Sequence, residues 1–269
     1  MMALCIPSYR LPRDMLKADI DRILSVGVEL KLNTAIGKDI TIEQLSKEND
    51  AVFIGIGTLK PKKLGIEGED AEGVGHVLNF LEDVNIHGKK ITGKKIAVVG
   101  AGFSAMDAVR TAKRLGADAF IVYRRDRDQM PASPEEVTEA EEEGCGIHVL
   151  TNPTKIIVKD GKVAGIECLK QKLGAPGRDG RPAPEPIPGS EFTIECDMVI
   201  QAISQEPELA GFESFKATKW NTFDVTDKYL TSVPNVWAAG DDVTGPKTIV
   251  EAVAAATQAA KDIDEFLKK

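Results

Sequence analysis

The chain has 269 residues, enough for one large domain or two ordinary ones, each with its own apolar core. Its 42 acidic residues outnumber its 34 lysines and arginines, so its formal net charge is -8 at pH 7, and no apolar run approaches the ~18 residues that span a bilayer. These features argue against a nucleic-acid or membrane partner, and since the opening residues lack a signal-peptide pattern we expect a cytoplasmic protein.

The first strand pattern in chain order is DAVFIGIGT, at residues 50–58. Residues 94–125 then read as a buried strand (KKIAVVGAG), a helix (SAMDAVRTAKRLG) and a second strand (DAFIVYRR). A helical crossover between neighbouring strands makes them parallel. The segment therefore predicts a Rossmann-like βαβ unit.

Three further patterns follow the βαβ unit. PEEVTEAEEEG, at residues 134–144, is typical of an acidic surface helix whose charges face water. Residues 155–171 form two strand-like halves around Asp160-Gly161, a dipeptide that favours a tight hairpin. The Gly/Pro-rich tract at residues 174–191 predicts an exposed loop, because proline and glycine disfavour both helix and central strand.

Two more apolar strands, DMVIQAIS at residues 197–204 and NVWAAGDD at residues 235–242, complete the pattern. A domain inserted into another must enter and leave through neighbouring strands. We therefore expect an α/β protein in which residues 89–205 form a Rossmann-like domain, inserted into a discontinuous domain made of residues 1–88 and 206–269.

The most specific motif is a G-x-G-x-x-A turn between the first strand and the helix, formed by Gly100, Ala101, Gly102, Phe103, Ser104 and Ala105. In dinucleotide-binding proteins the first glycine makes the tight turn, the second lets the backbone approach a pyrophosphate, and the small third residue lets helix and strand pack. The alternative is a tight turn with no ligand. The strand-turn-helix-strand context favours dinucleotide binding.

The residues at the end of the second strand determine which nucleotide, NAD or NADP, such a unit binds. NAD-dependent proteins place Asp or Glu there to bind the ribose 2′-hydroxyl, whereas this chain has Tyr123-Arg124-Arg125. Guanidinium groups make charge-assisted, forked hydrogen bonds to a 2′-phosphate. The pair predicts NADPH, and the alternative is ordinary surface charge.

A second motif, Ala239-Gly240-Asp241, follows the last strand and precedes Gly245, Pro246 and a long Ala-rich helix. The free N–H groups at such a helix start could stabilise a reduced flavin ring, and Asp241 could bind a sugar or ribityl chain. A helix cap without a ligand is the alternative. The four cysteines form no C-x-x-C pair and are interpreted as reduced structural thiols, with no metal site. The three histidines are interpreted as surface or loop residues.

Several longer segments carry a family resemblance: CIPSYRLP, DAVFIGIGTLKPKKLGIEGED, VVGAGFSAMDAVRTAKRLGA, VYRRDRDQMPAS, GRPAPEPIPGSEF and VWAAGDDVTGPKTIVEAVAAATQAA. They resemble the small-subunit family of NADPH-dependent glutamate synthase, within the two-dinucleotide flavoproteins. The resemblance implies that the inserted domain binds NADPH and that the discontinuous domain is a partial FAD-binding-type domain. It assigns to the flavin side Gly240, Asp241, Lys247, Thr248 and Ile249. It assigns Gly57 and Thr58, and Ala202 and Ile203, to the two interdomain crossings.

Departures from the family pattern are also visible. Phe103 stands where the family usually has Asn, Ser204 where Gly is usual, and Gly55 to Gly57 replace Ala-Thr-Gly. The family's cysteine-rich segment and its βαβ unit for the FAD pyrophosphate are not found in these 269 residues. We therefore expect the strands at residues 50–58 and 236–240 to be covered by a partner chain, a second copy or a rearranged amino terminus.

Two hypotheses about function follow. In the first, the chain is an electron-input module in which NADPH reduces FAD and the electrons pass to an acceptor on a partner subunit, with no protein acid or base required. In the second, it is an NADPH-binding fragment or accessory subunit that holds no flavin and has no activity alone. A homo-oligomer stays open under both.

Overall fold

The computed structural model describes residues 1–91, 93–177 and 180–268. The helices are α1 Arg13–Leu24, α2 Ile42–Glu48, α3 Val77–Asn85, α4 Phe103–Arg114, α5 Pro134–Glu142, α6 Asp241–Thr244 and α7 Ile249–Leu267. The strands are β1 Val52–Ile54, β2 Lys60–Pro61, β3 Val74–His76, β4 Lys95–Val99, β5 Asp118–Val122, β6 Gly146–His148, β7 Thr151–Lys159, β8 Lys162–Pro176, β9 Pro182–Ile194, β10 Met198–Gln201, β11 Gln205–Glu206 and β12 Val236–Ala238.

The chain divides into two compact units, and the second is discontinuous in sequence. The first unit comprises Met1–Asp21 with Lys63–Ile203, and the second comprises Arg22–Lys62 with Ser204–Lys269. These limits differ from the expected 88/89 and 205/206. Residues 63–88 join the first unit because β3 pairs with β10 and the apolar side of α3 is buried in the same core as α4.

The first unit is built on a parallel sheet with the strand order β3-β10-β4-β5-β6. Successive residues of a strand point to opposite faces, so each face receives alternate side chains. In β4, Ile96 and Val98 join the core beneath the helices, whereas Ala97 and Val99 join the core beneath the ribbon described below. Both faces are covered, as the all-apolar strand predicts.

Helix α4 crosses from β4 to β5 and has the predicted apolar side. Met106, Val109 and Ala112 are fully buried against the sheet. The helix ends at Arg114 with Leu115 as its C-cap, and Gly116 then has a φ of 86°, the left-handed conformation that follows many helices. The α/β class and the predicted βαβ unit are confirmed.

A three-stranded antiparallel ribbon, β7-β8-β9, covers the other face of the sheet. Its first hairpin turns at Asp160 and Gly161, with φ of 52° and 79°, as predicted. The prediction of a loop at residues 174–191 is wrong, because β8 continues to Pro176 and β9 begins at Pro182. Arg178 and Asp179, at the centre of that tract, lie outside the described residues.

Proline is accommodated in β9 because β9 is the edge strand of the ribbon. Pro182, Pro184, Pro186 and Pro188 occupy every second position. The Pro182 carbonyl accepts a hydrogen bond from Arg125, and alternate residues face the same side of a strand, so Pro182, Pro184 and Pro186 have their missing N–H on the side away from β8. Pro188 lies where the pairing of β8 with β9 shifts register. A prediction from the glycine and proline content alone treats each proline as a strand breaker, so it does not recognise this alternating pattern.

Helix α5 is not the fully solvated surface that its composition predicts. Val137 and Ala140 are buried in the core, and the acidic side pairs with α4 and with the amino-terminal segment. Arg110 lies 2.6 Å from Glu139 and 2.7 Å from Glu143, and Arg10 forms ion pairs with Asp107 and Glu136. These carboxylates therefore hold the segment around Arg10 against helices α4 and α5.

One of the three histidines, His76, has a position that the sequence does not predict. His76 ends β3, is 7 % exposed, and its Nδ1 accepts the Leu78 N–H at 3.3 Å, which caps α3. His148 lies in β6, edge-on to the ring of Phe120. His87 and His148 are both exposed, as predicted.

Candidate cofactor-binding site

Gly100 begins the turn after β4 and is required there by packing. Its φ is 130°, and a Cβ at this position would lie 2.2 Å from the carbonyl oxygen of Ala202. Its N–H donates to the carbonyl of Val122 at 3.0 Å. The turn is thus pressed between the ends of neighbouring strands, which matches the role predicted for the first glycine.

Gly102 has a different environment, because its φ of -87° suits any residue and nothing lies within 4 Å of its Cβ position. It is the N-cap of α4, and no side chain caps this helix start. The open space beside uncapped amides at a helix N-terminus fits a pyrophosphate. Of the remaining motif residues, Ala101 and Ala105 are buried, while Phe103 is exposed.

The two arginines after β5 have unlike surroundings, although the sequence predicts that both face a phosphate. Arg124 is exposed. Arg125 is 6 % exposed, and its Nε donates to the carbonyl oxygen of Pro182 at 2.9 Å. Successive residues of an extended segment point to opposite sides, so one guanidinium faces solvent while the other is directed into the protein.

Ala202 and Ile203 follow the carboxyl end of β10. The Ala202 N–H donates to the Val99 carbonyl at 2.8 Å, which places Ala202 directly behind the glycine turn, and Ile203 packs on the core beneath the ribbon. Ser204 comes next with a φ of 95°, a conformation that costs a residue with a Cβ on the order of 1–3 kcal/mol. The family's usual glycine would adopt it without strain.

In the second unit, β1 and β12 are parallel neighbours, so the segments after Ile54 and Ala238 leave the same edge of the sheet. The Ile56 N–H donates to Oδ2 of Asp242 at 2.9 Å and joins the two segments. Asp242 is fully buried, and burial raises its pKa to about 7 despite this bond and one from Gly57. The sequence analysis did not select Asp242; the adjacent acidic pair at 241–242 was the available signal.

Asp241 follows Gly240, whose φ is 104°, and its Oδ1 accepts the Lys247 N–H at 3.1 Å. Burial raises the pKa of this half-buried carboxyl. Thr248 forms a capping box with Glu251 at the start of α7. The first turn of α7 is therefore satisfied in part by its own side chains, while Asp241 fixes the loop that leads into it.

Gly57 and Thr58 lie on the other segment of this edge. Gly57 has a φ of 63° with open space at its Cβ position, whereas Thr58 is 2 % exposed. Within the described part of the chain, the Thr58 hydroxyl has no hydrogen-bond partner, and neither has Oδ1 of Asp242. Buried polar atoms are nearly always satisfied, so these two oxygens indicate a site for water or a ligand hydroxyl. The residues fit the sugar end of a flavin site.

The four cysteines are buried free thiols, and burial raises the pKa of Cys168 and of Cys196 to about 12. Among residues 1–91, 93–177 and 180–268, no group of three or more His, Cys, Asp or Glu side chains is arranged to hold a metal ion. No helix in these same ranges combines the length and apolarity needed to cross a bilayer.

The sequence is 44% identical over its whole length to the beta subunit of NADP(+)-dependent formate dehydrogenase from Moorella thermoacetica, but it spans only 39% of that protein. It is 35% identical to a putative glutamate synthase [NADPH] small chain from Cereibacter sphaeroides, with 97% of this chain and 67% of that protein covered.

The fold is similar to that of FprA from Mycobacterium tuberculosis, determined in complex with NADPH, with a TM-score of 0.80 at 16% identity over 99% of this chain and 74% of that one. The resemblance to the glutamate synthase small subunits is therefore confirmed. The sequence profile of the pyridine nucleotide-disulphide oxidoreductases matches residues 12–258. The chain belongs to the pyridine nucleotide-disulphide oxidoreductase family.

Proposed function

We propose that the chain is an electron-input module that binds NADPH in its first unit and FAD in its second, and that delivers electrons to an acceptor on a partner subunit. The observation that carries this proposal is the Gly100–Ala105 turn, with open space beside Gly102 at an uncapped helix start. Similar proteins bear the names of subunits of NADP(+)-dependent formate dehydrogenase and NADPH-Fe(3+) oxidoreductase. These relatives favour an electron-accepting partner.

On the nucleotide side, Gly102 leaves room for the pyrophosphate, and the first amides of α4 bind its oxygens. Gly100 and Ala202 hold the turn in place from behind. The exposed guanidinium of Arg124 binds the 2′-phosphate. Ala101, Phe103, Ser104 and Ala105 complete the turn, and the buried Ala105 lets α4 pack closely on β4.

FAD, when bound, supplies the group that accepts hydride from NADPH and can release electrons one at a time. Asp241, held by the Lys247 N–H, accepts hydrogen bonds from the ribityl hydroxyls, while Gly240 lets the backbone approach. Gly57 and Thr58 border the same edge of the sheet, and Thr248 and Ile249 set the start of α7. Because these residues bind and orient, no side chain has to move a proton. We place the protein in the cytoplasm.

The second candidate is an NADPH-binding subunit without flavin, and the exposed surface of the second unit favours it. Only Ala259 of α7 is fully buried, while Val250 and Val253 are 77% and 58% exposed. In the described residues β1 and β12 form a two-stranded sheet, and the only G-x-G-x-x-A turn between a strand and a helix is the one after β4. A full FAD site needs a second such unit for its pyrophosphate.

The flavin content of the purified 269-residue chain tests whether the second unit holds FAD by itself, without the contacts that a partner chain would add. We expect far less than one FAD per chain, because losing several charge-assisted phosphate bonds at about 1.5–3 kcal/mol each weakens a nanomolar site to micromolar or worse. Visible absorbance, followed by chromatography of the denatured supernatant, measures the content. A yellow preparation that releases stoichiometric FAD would contradict this expectation and would favour a complete flavin site in the chain.

Cofactor preference tests the nucleotide assignment. Arg124→Ala is expected to weaken NADPH binding by about 10- to 100-fold and to leave NADH binding unchanged, since only NADPH carries the 2′-phosphate. Calorimetric titration of both nucleotides measures the difference. Arg127→Ala is the matched control, because its guanidinium is held by Glu141. Equal wild-type affinities for the two nucleotides would overturn the NADPH assignment.

A further inference from the structure

The side chain of Asp242 connects two segments of the second unit beyond the end of their strand pairing. The parallel ladder of β1 and β12 ends at Ile54 and Ala238, and one further bond runs from the Ala239 N–H to the Ile54 carbonyl at 3.3 Å. Beyond it, the Ile56 N–H donates to Oδ2 of Asp242 at 2.9 Å. A side chain therefore continues the connection that the backbone begins.

Asp242 is itself anchored in the core of the second unit. Its backbone carbonyl accepts the N–H of Phe223 at 2.9 Å, and Phe223 is 1 % exposed. The neighbouring Asp241 is directed to a different segment, because its Oδ1 accepts the Lys247 N–H at 3.1 Å. The two adjacent carboxyl groups thus tie the segment after β1 and the segment before α7 to the same short helix, α6.

The segments that Asp242 connects carry residues assigned to the flavin. Gly57 follows Ile56 directly and has open space at its Cβ position, while Asp241 precedes Asp242. Asp242 is 0 % exposed, so it lies behind the surface that a ligand would touch. A buried side chain of this kind acts on a ligand through the residues that it holds in place.

We propose that Asp242 is a positioning residue of the candidate flavin site, where its carboxylate fixes the spacing between Gly57 and Asp241. The proposal rests on the assignment of FAD to the second unit, given above. Hydrogen bonds to an ionised acceptor are roughly twice as strong as those to a neutral one, so the carboxylate holds the Ile56 amide better than the carboxylic acid does. FAD binding should therefore weaken when Asp242 is protonated.

The protonation of Asp242 falls in an accessible pH range. Burial raises its pKa from 3.8 to about 7, although its backbone donors act in the opposite direction. Asp241, on the same helix, adds to this rise. Burial raises the pKa of Asp241 as well, and Lys247 and Glu251 lie near it at the start of α7. The core side chains that pack around α6 are apolar.

Stability and FAD binding are therefore expected to change in opposite directions with pH. The folded chain holds the proton of Asp242 more tightly than the unfolded chain does. The stabilising contribution of the protonated group is thus complete below about pH 4 and is lost as the pH rises to about 7. The bond to Ile56 strengthens over the upper part of this range, as the carboxylate forms. A purely structural side chain would change both quantities in the same direction.

Titration of the 269-residue chain with FAD at pH 6 and pH 8, followed by flavin fluorescence, tests the proposal. We expect the wild type to bind FAD about 3- to 10-fold more tightly at pH 8. Asp242→Ala should weaken binding at pH 8 by about 10-fold or more. Asp242→Asn keeps an oxygen acceptor for the Ile56 amide, so it should recover part of the affinity and lose the pH dependence. Asp224→Asn is the matched control, because it makes the same change at an exposed carboxyl one residue after Phe223.

Two measurements without FAD complete the test. Hydrogen exchange at the Ile56 amide, corrected for its intrinsic pH dependence, should be slower at pH 8 than at pH 6 in the wild type and equal in Asp242→Asn. The unfolding temperature of Asp242→Asn should rise relative to that of the wild type between about pH 4 and about pH 7, because the variant has no buried charge to form.

Wild-type FAD affinity in Asp242→Ala, together with a loss in Asp241→Ala, would overturn the proposal and leave the FAD assignment intact. A pH dependence of FAD affinity that persists in Asp242→Asn, or that Asp224→Asn removes equally, would also overturn it. A wild-type chain that binds no FAD at either pH would overturn the FAD assignment and the proposal together.

Discussion

We expect Gly102→Val to lower the binding affinity for NADPH and for NADH alike by about 100-fold or more. The valine side chain would enter the open space beside the start of α4 and exclude the pyrophosphate. Losing two charge-assisted hydrogen bonds at about 1.5–3 kcal/mol each accounts for this magnitude. Calorimetry with both nucleotides gives the affinities.

The same variant is expected to remain folded, because the φ of Gly102 suits any residue and no atom lies near its Cβ position. Its thermal unfolding temperature should stay close to that of the wild type. Gly102→Ala, with a smaller side chain, should give an intermediate loss. A folded Gly102→Val protein with undiminished NADPH affinity would show that this turn does not bind the pyrophosphate.

Gly100→Ala should lower the free energy of unfolding by about 3–5 kcal/mol. A φ of 130° costs an alanine on the order of 1–3 kcal/mol, and the overlap of its Cβ with the Ala202 carbonyl oxygen adds to that cost. Either β4 or β10 must shift at its carboxyl end to relieve the contact. Urea denaturation followed by circular dichroism measures the change.

A substitution at a second glycine separates the cost of backbone strain from the cost of steric overlap with a neighbouring atom. Gly161, in the β7–β8 hairpin, has a φ of 79° and open space at its Cβ position. Gly161→Ala should therefore cost only the backbone contribution, about 1 kcal/mol. If the two variants were destabilised equally, close packing against Ala202 would not be the reason for glycine at position 100.

The βαβ unit was predictable because its signals agree. The apolar run of β4, the helical spacing of Met106 and Val109, and the terminating Gly116 all indicate the same structure. The nucleotide turn was predictable for the same reason, since its glycines stand between a buried strand and a helix. Local patterns suffice where every contact partner is near in sequence.

The ribbon and the burial of Arg125 were not predictable in this way. Whether a proline-rich stretch forms a strand depends on which edge it occupies, and that is a property of the assembled ribbon. Arg125 is buried because Pro182, 57 residues later in the chain, offers it a carbonyl. The buried position of the Asp242 carboxyl group likewise depends on a hydrogen bond from the amide of Ile56, 186 residues away.

The alternating prolines of β9 also affect how the protein behaves at high concentration. A strand from another molecule that approached the outer edge of β9 would meet carbonyl oxygens but find no N–H donors at Pro182, Pro184 and Pro186. Half of the hydrogen bonds of a new ladder would be missing, which discourages edge-to-edge aggregation. A long edge strand of this kind can face a crowded solution without nucleating intermolecular β-sheet.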